Sequence, residues 1–287
     1  MKQSASTKST ILVAAQVYDQ HCSGMAALKL HHEDLGGSGV PLVILHGLFG
    51  SSRNWFSVGR ELQKSAHVYA LDLRNHGESP HGETHTREDL RGDLKLWFSD
   101  HLAEEKPVLL GHSMGGMAAM DFAVSYPDLL RALIVVDIAP RRYPPQHDSE
   151  FAALSVDPAG YSSRSEIDQA MAKHVADRSV RQFLQTNLVH KEGGGYEWRI
   201  NLAALKKAAG QGGLEEPTAH GHFSGPVLVI SGSESDYVTA DDHAAFRNRF
   251  PAVEFREISG AGHWLHHTHQ EQFLEHLRSF LKDSAGI

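Results

Sequence analysis

A serine acts as a nucleophile only when its hydroxyl is presented to a ligand and a base stands beside it, and one stretch of this chain has the form needed for presentation. Gly111-His112-Ser113-Met114-Gly115-Gly116 follows the apolar run Pro107 to Leu110 and precedes a helical pattern. Strand, tight turn and helix in that order push the serine at the apex out of the sheet edge. The glycines two positions to either side let the two arms approach without Cβ clashes. The base has to reach that apex from another strand end. Of the 21 histidines, His263 in Gly260-Ala261-Gly262-His263-Trp264 stands directly after the last strand-like run and follows the serine in chain order, which makes it the candidate.

The third group required is a carboxylate that holds the imidazole tautomer and stabilises the imidazolium. Two are available. Asp137 closes the apolar run after the helix that follows Ser113, and Asp236 lies after the next strand, in Gly232-Ser233-Glu234-Ser235-Asp236-Tyr237-Val238. An acid serving a histidine from that loop ordinarily stands three residues after such a glycine, where this chain has Ser235. Asp236 is one position out of register. Spacing therefore favours Asp137, with Asp236 as the alternative acid and Ser235 as an auxiliary hydroxyl near His263.

Charge developing on a substrate carbonyl oxygen needs preorganised donors. The backbone N–H of Met114 opens the helix after the serine, and that of Leu48 lies in His46-Gly47-Leu48-Phe49-Gly50 at the end of an earlier strand, so the two form a candidate oxyanion hole. Phe49, Phe183 and Trp198, with the Met114 side chain, are candidate walls of a substrate pocket. The remaining histidines read differently. His266, His267 and His269 follow His263 without converging on one helical face or meeting an acid, so no metal site is expected there. His46, His76 and His112 recur in loops near the site, where hydrogen bonding is the expected role. Asp72 and Arg74 are expected to fix their own loop.

The elements that must position these groups are legible as alternating patterns. Apolar runs at Met25–Leu30, Val40–His46, Ala66–Leu71, Pro107–Leu110, Leu133–Val136, Pro226–Ile230 and Val253–Ile258 predict strands. Between them lie amphipathic helical patterns: Trp55, Val58 and Leu62 behind a Ser52 cap; Leu90, Leu94, Trp97 and Phe98 behind a Thr86/Asp89 capping box; and Phe273, Leu274, Leu277, Phe280 and Leu281 near the end. Continuous apolar strands alternating with helices predict an α/β chain, a mostly parallel sheet covered on both faces, with ligands at the carboxyl ends of the strands. From Ile138 to about His222 the helical pattern persists without strand-like runs, so residues 138–222 are expected to be a helical cap insertion. Residues 25–137 and 223–287 then form the core. Asp283 onward is expected to fray, and residues 1–24 to form a flexible extension.

Composition bounds the function. Of 287 residues, 27 are Lys or Arg and 35 Asp or Glu, for a net charge of −8, and no basic run exists, so nucleic acid is not an expected partner. A single cysteine, Cys22, excludes an internal disulfide. No apolar run reaches the roughly 18 residues that span a bilayer. A cytoplasmic location is expected, with organelle targeting by the extension left open.

Taken together, His46-Gly47-Leu48-Phe49-Gly50-Ser51, Asp72-Leu73-Arg74-Asn75-His76-Gly77-Glu78-Ser79, Gly111–Gly116, Val136-Asp137-Ile138-Ala139-Pro140 and Gly260–Trp264 resemble the α/β-hydrolase fold, and more narrowly the YbfF-type esterases and their mitochondrial relatives, over residues 25–282. The resemblance implies a serine carboxylesterase acting without cofactor on a small-molecule substrate, a short-chain acyl ester or a thioester. It also favours Asp137, because members of that group carry serine where Ser235 stands. Asp236 is a departure from the group. Perhydrolysis, C–C hydrolysis and cyanohydrin lysis share the fold, as does a receptor without turnover. A serine at 113 in place of an aspartate argues against dehalogenase and epoxide hydrolase chemistry.

Overall fold

The computed structural model describes residues 27–102, 105–144, 147–210 and 221–287. The extension expected over residues 1–24, with Cys22, lies outside them, as does the beginning of the strand expected from Met25.

Seven strands form the central sheet: β1 (His32–Gly36), β2 (Pro41–Leu45), β3 (His67–Leu71), β4 (Val108–His112), β5 (Ala132–Val136), β8 (Val227–Gly232) and β9 (Val253–Ile258), in spatial order β1-β3-β2-β4-β5-β8-β9. β1 runs antiparallel to β3, and the other neighbours are parallel. The first strand thus lies two residues beyond the run expected at Met25–Leu30, directly before the Gly36-Gly37-Ser38-Gly39 turn. Chain order reverses at β2, which sends β3 to one side and β4 to the other. The crevice beyond the ends of β2 and β4 is therefore the topological switch point, where such sheets bind ligands.

The central strands are apolar throughout because both faces are covered. Val43, Leu45, Leu109, Leu133, Val135 and Val229 pack on one face against α2 (Arg87–His101), α3 (Met114–Ser125) and α8 (His243–Arg249). Leu42, Ile44, Leu110, Ile134, Val136, Leu228 and Ile230 pack on the other against α1 (Phe56–Leu62) and the last helix, α9 (Gln270–Asp283). The period of two along each strand makes that division. Thr86 caps α2 and Asp89 returns the bond, as the capping box requires. Ser51, with Asn54, caps the single 3-10 turn before α1, one residue earlier than the Ser52 expected. The tail is docked and not frayed: Ala285 is buried and its carbonyl accepts from Arg131 Nη1 at 3.3 Å.

Between β5 and β8 the chain leaves the sheet. α4 (Asp148–Ala153), α5 (Arg164–Met171), α6 (Arg178–Leu184) and α7 (Leu202–Gly210) enclose a third apolar cluster that includes Phe151, Ile167, Met171, Leu184 and Leu205. The insertion is not wholly helical. β6 (Leu188–His190) and β7 (Tyr196–Trp198) form an antiparallel hairpin. Gly193, Gly194 and Gly195 turn its tip at positive φ. Three-residue strands are too short for an apolar run to reveal them.

A buried ion pair secures the loop after β3. Arg74 donates from Nε and Nη2 to Asp93 on α2 at 2.6 and 2.7 Å, with Asp89 at 2.8 Å from Nη1, and Asp93 also accepts the Leu28 amide. Asp93→Ala would leave the guanidinium underpaired in the interior. Urea unfolding should show a loss of about 3 kcal/mol, and a loss below about 1 kcal/mol would mean that the pair is dispensable.

Candidate active site

Ser113 sits at φ 54°, ψ −122°, a conformation forced by the direct passage from β4 into α3. A Cβ on Gly111 would collide with the Gly115 carbonyl, and one on Gly115 would meet the His46 carbonyl at 2.5 Å, so both glycines are needed for the close approach. The Ser113 hydroxyl donates to His263 Nε2 at 3.0 Å, and His263 Nδ1–H donates to Asp137 Oδ2 at 2.7 Å.

Asp137 is fully buried at the end of β5, at φ 52°. Burial of a carboxylate is costly unless donors surround it. Here the Gly232 amide reaches Oδ1 at 3.1 Å, while the Ser235 hydroxyl, at 2.5 Å, and His263 share Oδ2. Ser235 thus bonds the same carboxylate oxygen as the imidazole of His263. Asp236 is exposed, and its carbonyl accepts from Arg141 at 2.9 Å. The structure brings Asp137 to His263 and leaves the Asp236 side chain at the surface.

Three side chains position His263 and the loops beside it. His112 Nε2–H donates to the His263 carbonyl at 2.9 Å. Tyr237 stacks on the ring with centroids 4.0 Å apart. The Tyr143 hydroxyl accepts the Ala139 amide at 2.7 Å and donates to the Tyr237 carbonyl at 2.6 Å, so it ties the loop of the acid to the loop of the stacking tyrosine. Tyr237 and Tyr143 were invisible as site residues in the sequence, because no spacing rule links them to His263.

The Met114 amide, at the first position of α3, has no acceptor within its helix. Neither it nor the Leu48 amide donates to an acceptor among the described residues. The loop that carries Leu48 is fixed at its next residue. The Phe49 amide donates to His76 Nε2 at 3.2 Å, and its carbonyl accepts from Asn187 Nδ2 of the insertion at 2.8 Å. Phe49 itself stands at φ 64°.

A cavity of about 370 Å³ opens over Ser113, lined among others by Leu48, Phe49, Trp55, His147, Glu150, Val180, Phe183, Leu184, Tyr237 and Trp264. Phe49 and Phe183 stand on its wall. Trp198 does not: it packs in the core of the insertion and donates from Nε1 to the Val156 carbonyl at 2.8 Å. The Met114 side chain turns away as well, toward His85, whose Nε2 lies 3.2 Å from the sulfur.

Five buried histidines surround this centre. His46 accepts the Leu73 amide at Nε2, so its Nδ1–H donates to the Gly47 carbonyl. His76 accepts from Phe49, and its Nδ1–H donates to the Arg74 carbonyl. Each is thereby the neutral Nδ1–H tautomer. Burial lowers the proton affinity of His46, His76 and His112, and brings His85 and His266 down to about 3. His266 stacks on Trp55 at 4.5 Å. Among the described residues no three His, Cys, Asp or Glu side chains are grouped to hold a metal, and no helix is long and apolar enough to cross a membrane.

Comparison with known proteins agrees with the fold. Residues 40–270 match the family described as alpha/beta hydrolase fold. The chain is 37% identical to the sn-1-specific diacylglycerol lipase ABHD11 of Danio rerio, over 86% of this chain and 80% of the relative. It is 32% identical to Esterase YbfF of Escherichia coli strain K12, over 85% and 93%. The solved structure of a marine microorganism esterase superposes with a TM-score of 0.85 at 36% identity, covering 88% of this chain and all of the other.

Histidines that are neutral when folded and take up protons when unfolded make stability fall as pH drops. His85 and His266, with folded values of about 3 against an unfolded value near 6.5, contribute fully above pH 6.5, and each loses about 2 kcal/mol by pH 5. Denaturant melts at pH 7 and pH 5 should show this loss. His266→Phe keeps the stack on Trp55 and removes one titrating group, so its loss over the same interval should be smaller by about 2 kcal/mol; an equal loss would contradict the assignment.

Proposed function

The chain belongs to the α/β-hydrolase family, as an enzyme of the esterase and lipase type, and we propose that it cleaves short-chain acyl esters, with thioesters as a second class, through an acyl-enzyme on Ser113. One observation carries the reading: an unbroken pair of hydrogen bonds, 3.0 Å from Ser113 to His263 and 2.7 Å from His263 to Asp137, ends at the floor of the cavity.

The chemistry follows from those contacts. The Ser113 oxygen attacks the ester carbonyl as His263 Nε2 takes its proton, and the imidazolium is stabilised by the buried Asp137 carboxylate. Negative charge moves to the carbonyl oxygen, where the unpaired Leu48 and Met114 amides receive it. His263 then gives its proton to the departing alkoxide. Water, deprotonated by the same imidazole, releases the acid. Ser235 holds Asp137, Tyr237 holds the imidazole plane, and residues 138–222 act as a cap that supplies Val180, Phe183 and Leu184 to an apolar acyl wall.

Hydrolysis of p-nitrophenyl butyrate should be lost in Ser113→Ala, and a fluorophosphonate probe should label the wild type alone. Asp137→Asn should lower kcat by a factor on the order of 10⁴, since the wrong tautomer is then favoured. Asp236→Asn should stay within about twofold; the reverse ranking would transfer the acid role.

Asn187 supports the oxyanion loop from the cap. Asn187→Leu leaves the Phe49 carbonyl unpaired and should reduce kcat roughly tenfold with little change in KM, a loss in the range of one buried hydrogen bond. A change confined to KM would place Asn187 in substrate binding alone.

A further inference from the structure

One wall of the cavity has no task in the reaction as derived. Glu150, at the start of α4, is the one carboxylate that lines it among the described residues, and neither lysine nor arginine does. Its place is fixed by its neighbours in the chain. His147 and Phe151 both meet the Phe49 ring edge-on, at 6.0 and 5.0 Å, so the turn between them lies against the loop that carries Leu48. Glu150 accepts from the Ser149 hydroxyl at 2.8 Å and stands 4.0 Å from His147 Nδ1, with 23% of its side chain exposed. No lysine or arginine pairs with it among the described residues. Burial lowers the proton affinity of His147, which leaves that ring neutral at pH 7.

The cavity therefore holds one uncompensated negative charge, largely enclosed. Enclosure weakens screening by solvent and salt, so a carboxylate there attracts a cation and repels an anion more strongly than one at the surface. The rest of the wall has the same preference. Phe183 from the insertion meets Trp264 at 5.8 Å between ring centroids, and Phe49 and Tyr237 line the same space. Aromatic rings hold ammonium groups through their electron-rich faces, and they suit the apolar shell of a quaternary one. A neutral alkyl group would fit the rings and leave the carboxylate without a partner. An ammonium satisfies both.

We propose that Glu150 and the aromatic rings around it form a cation subsite, which takes an ammonium group carried by a small ester and excludes carboxylate and phosphate. The inference rests on the hydrolase reading of Ser113 and narrows its substrates to esters bearing a positive charge. The recognition chemistry is the same whether the alcohol or the acyl portion carries the ammonium, and the two arms of the test distinguish them. Neither Glu150 nor the ammonium exchanges a proton. The Ser113–acyl bond forms, the ester C–O bond breaks, and the proton that His263 took from Ser113 goes to the leaving oxygen.

The test measures kcat/KM on two pairs of esters matched in shape. In one, butyrylcholine is set against the butyrate ester in which a tert-butyl group replaces trimethylammonium; in the other, the methyl ester of trimethylammonio-butyrate is set against its tert-butyl counterpart. Wild type should prefer the cationic member about tenfold in the pair whose charge reaches Glu150. The monomethyl ester of glutarate, with its free carboxylate, should be poorest. Glu150→Gln keeps the shape and removes the charge, so it should bring the ratio to about twofold, the share owed to the rings, and raise the glutarate ester relative to the neutral esters. Glu150→Lys should invert the ratio. Each ratio is taken on one variant, so a general loss of folded protein cancels. A ratio near one in both wild-type pairs, or a ratio unchanged in Glu150→Gln, would overturn the cation subsite while turnover of the neutral esters persists. Failure of the wild type to cleave any of these esters would overturn the hydrolase reading and this one with it.

Discussion

The passage of the chain from β4 into α3 through Ser113 is the constraint on which the rest of the site depends. At φ 54° and ψ −122° this residue is outside the comfortable regions for an L-amino acid, and the turn survives because the sheet below it is rigid. The same device recurs at neighbouring strand ends. Phe49 after β2, Asn75 after β3 and Asp137 after β5 all have positive φ. Each such residue costs on the order of 1–3 kcal/mol, and their concentration at one edge of the sheet is how a stable scaffold holds reactive groups in fixed directions.

Electrostatics completes what the backbone begins. The carboxylate of Asp137 is surrounded by donors from Gly232, Ser235 and His263, which offset the cost of burying it beside the imidazole. The histidines around it play the opposite part. Kept neutral by burial, His46 and His76 are bonded at both ring nitrogens and His112 donates to the His263 carbonyl, and none of the three adds a positive charge that would compete with His263 for Asp137.

The insertion is joined to this centre through contacts that serve geometry as well as enclosure. Asn187 holds the Phe49 carbonyl, and Phe151 packs edge-on against the Phe49 ring at 5.0 Å. The loop that offers the Leu48 amide is therefore gripped from the core by His76 and from above by the insertion. Two polarities meet over the serine: apolar side chains from α6, and the carboxylate of Glu150 from the start of α4.

The amino-acid sequence alone determined the layered α/β fold, the serine turn, the histidine that the fold brings to it and the order in which they occur, because each is written as a local pattern: an apolar run, a glycine spacing, a cap. It narrowed the acid to two residues and favoured the one that the fold brings to His263. Local pattern could not reveal that Ser235 would bond to Asp137, that Tyr237 would lie on His263, or that Trp198 would turn into the core of the insertion and leave the cavity to Val180 and Leu184. Nor could it show β6 and β7, or the docked tail at Ala285. Those outcomes are pairings between residues 26 to 154 positions apart in the chain, or strands too short to carry a period. They are decided only when the sheet has closed and competing side chains have taken the available space.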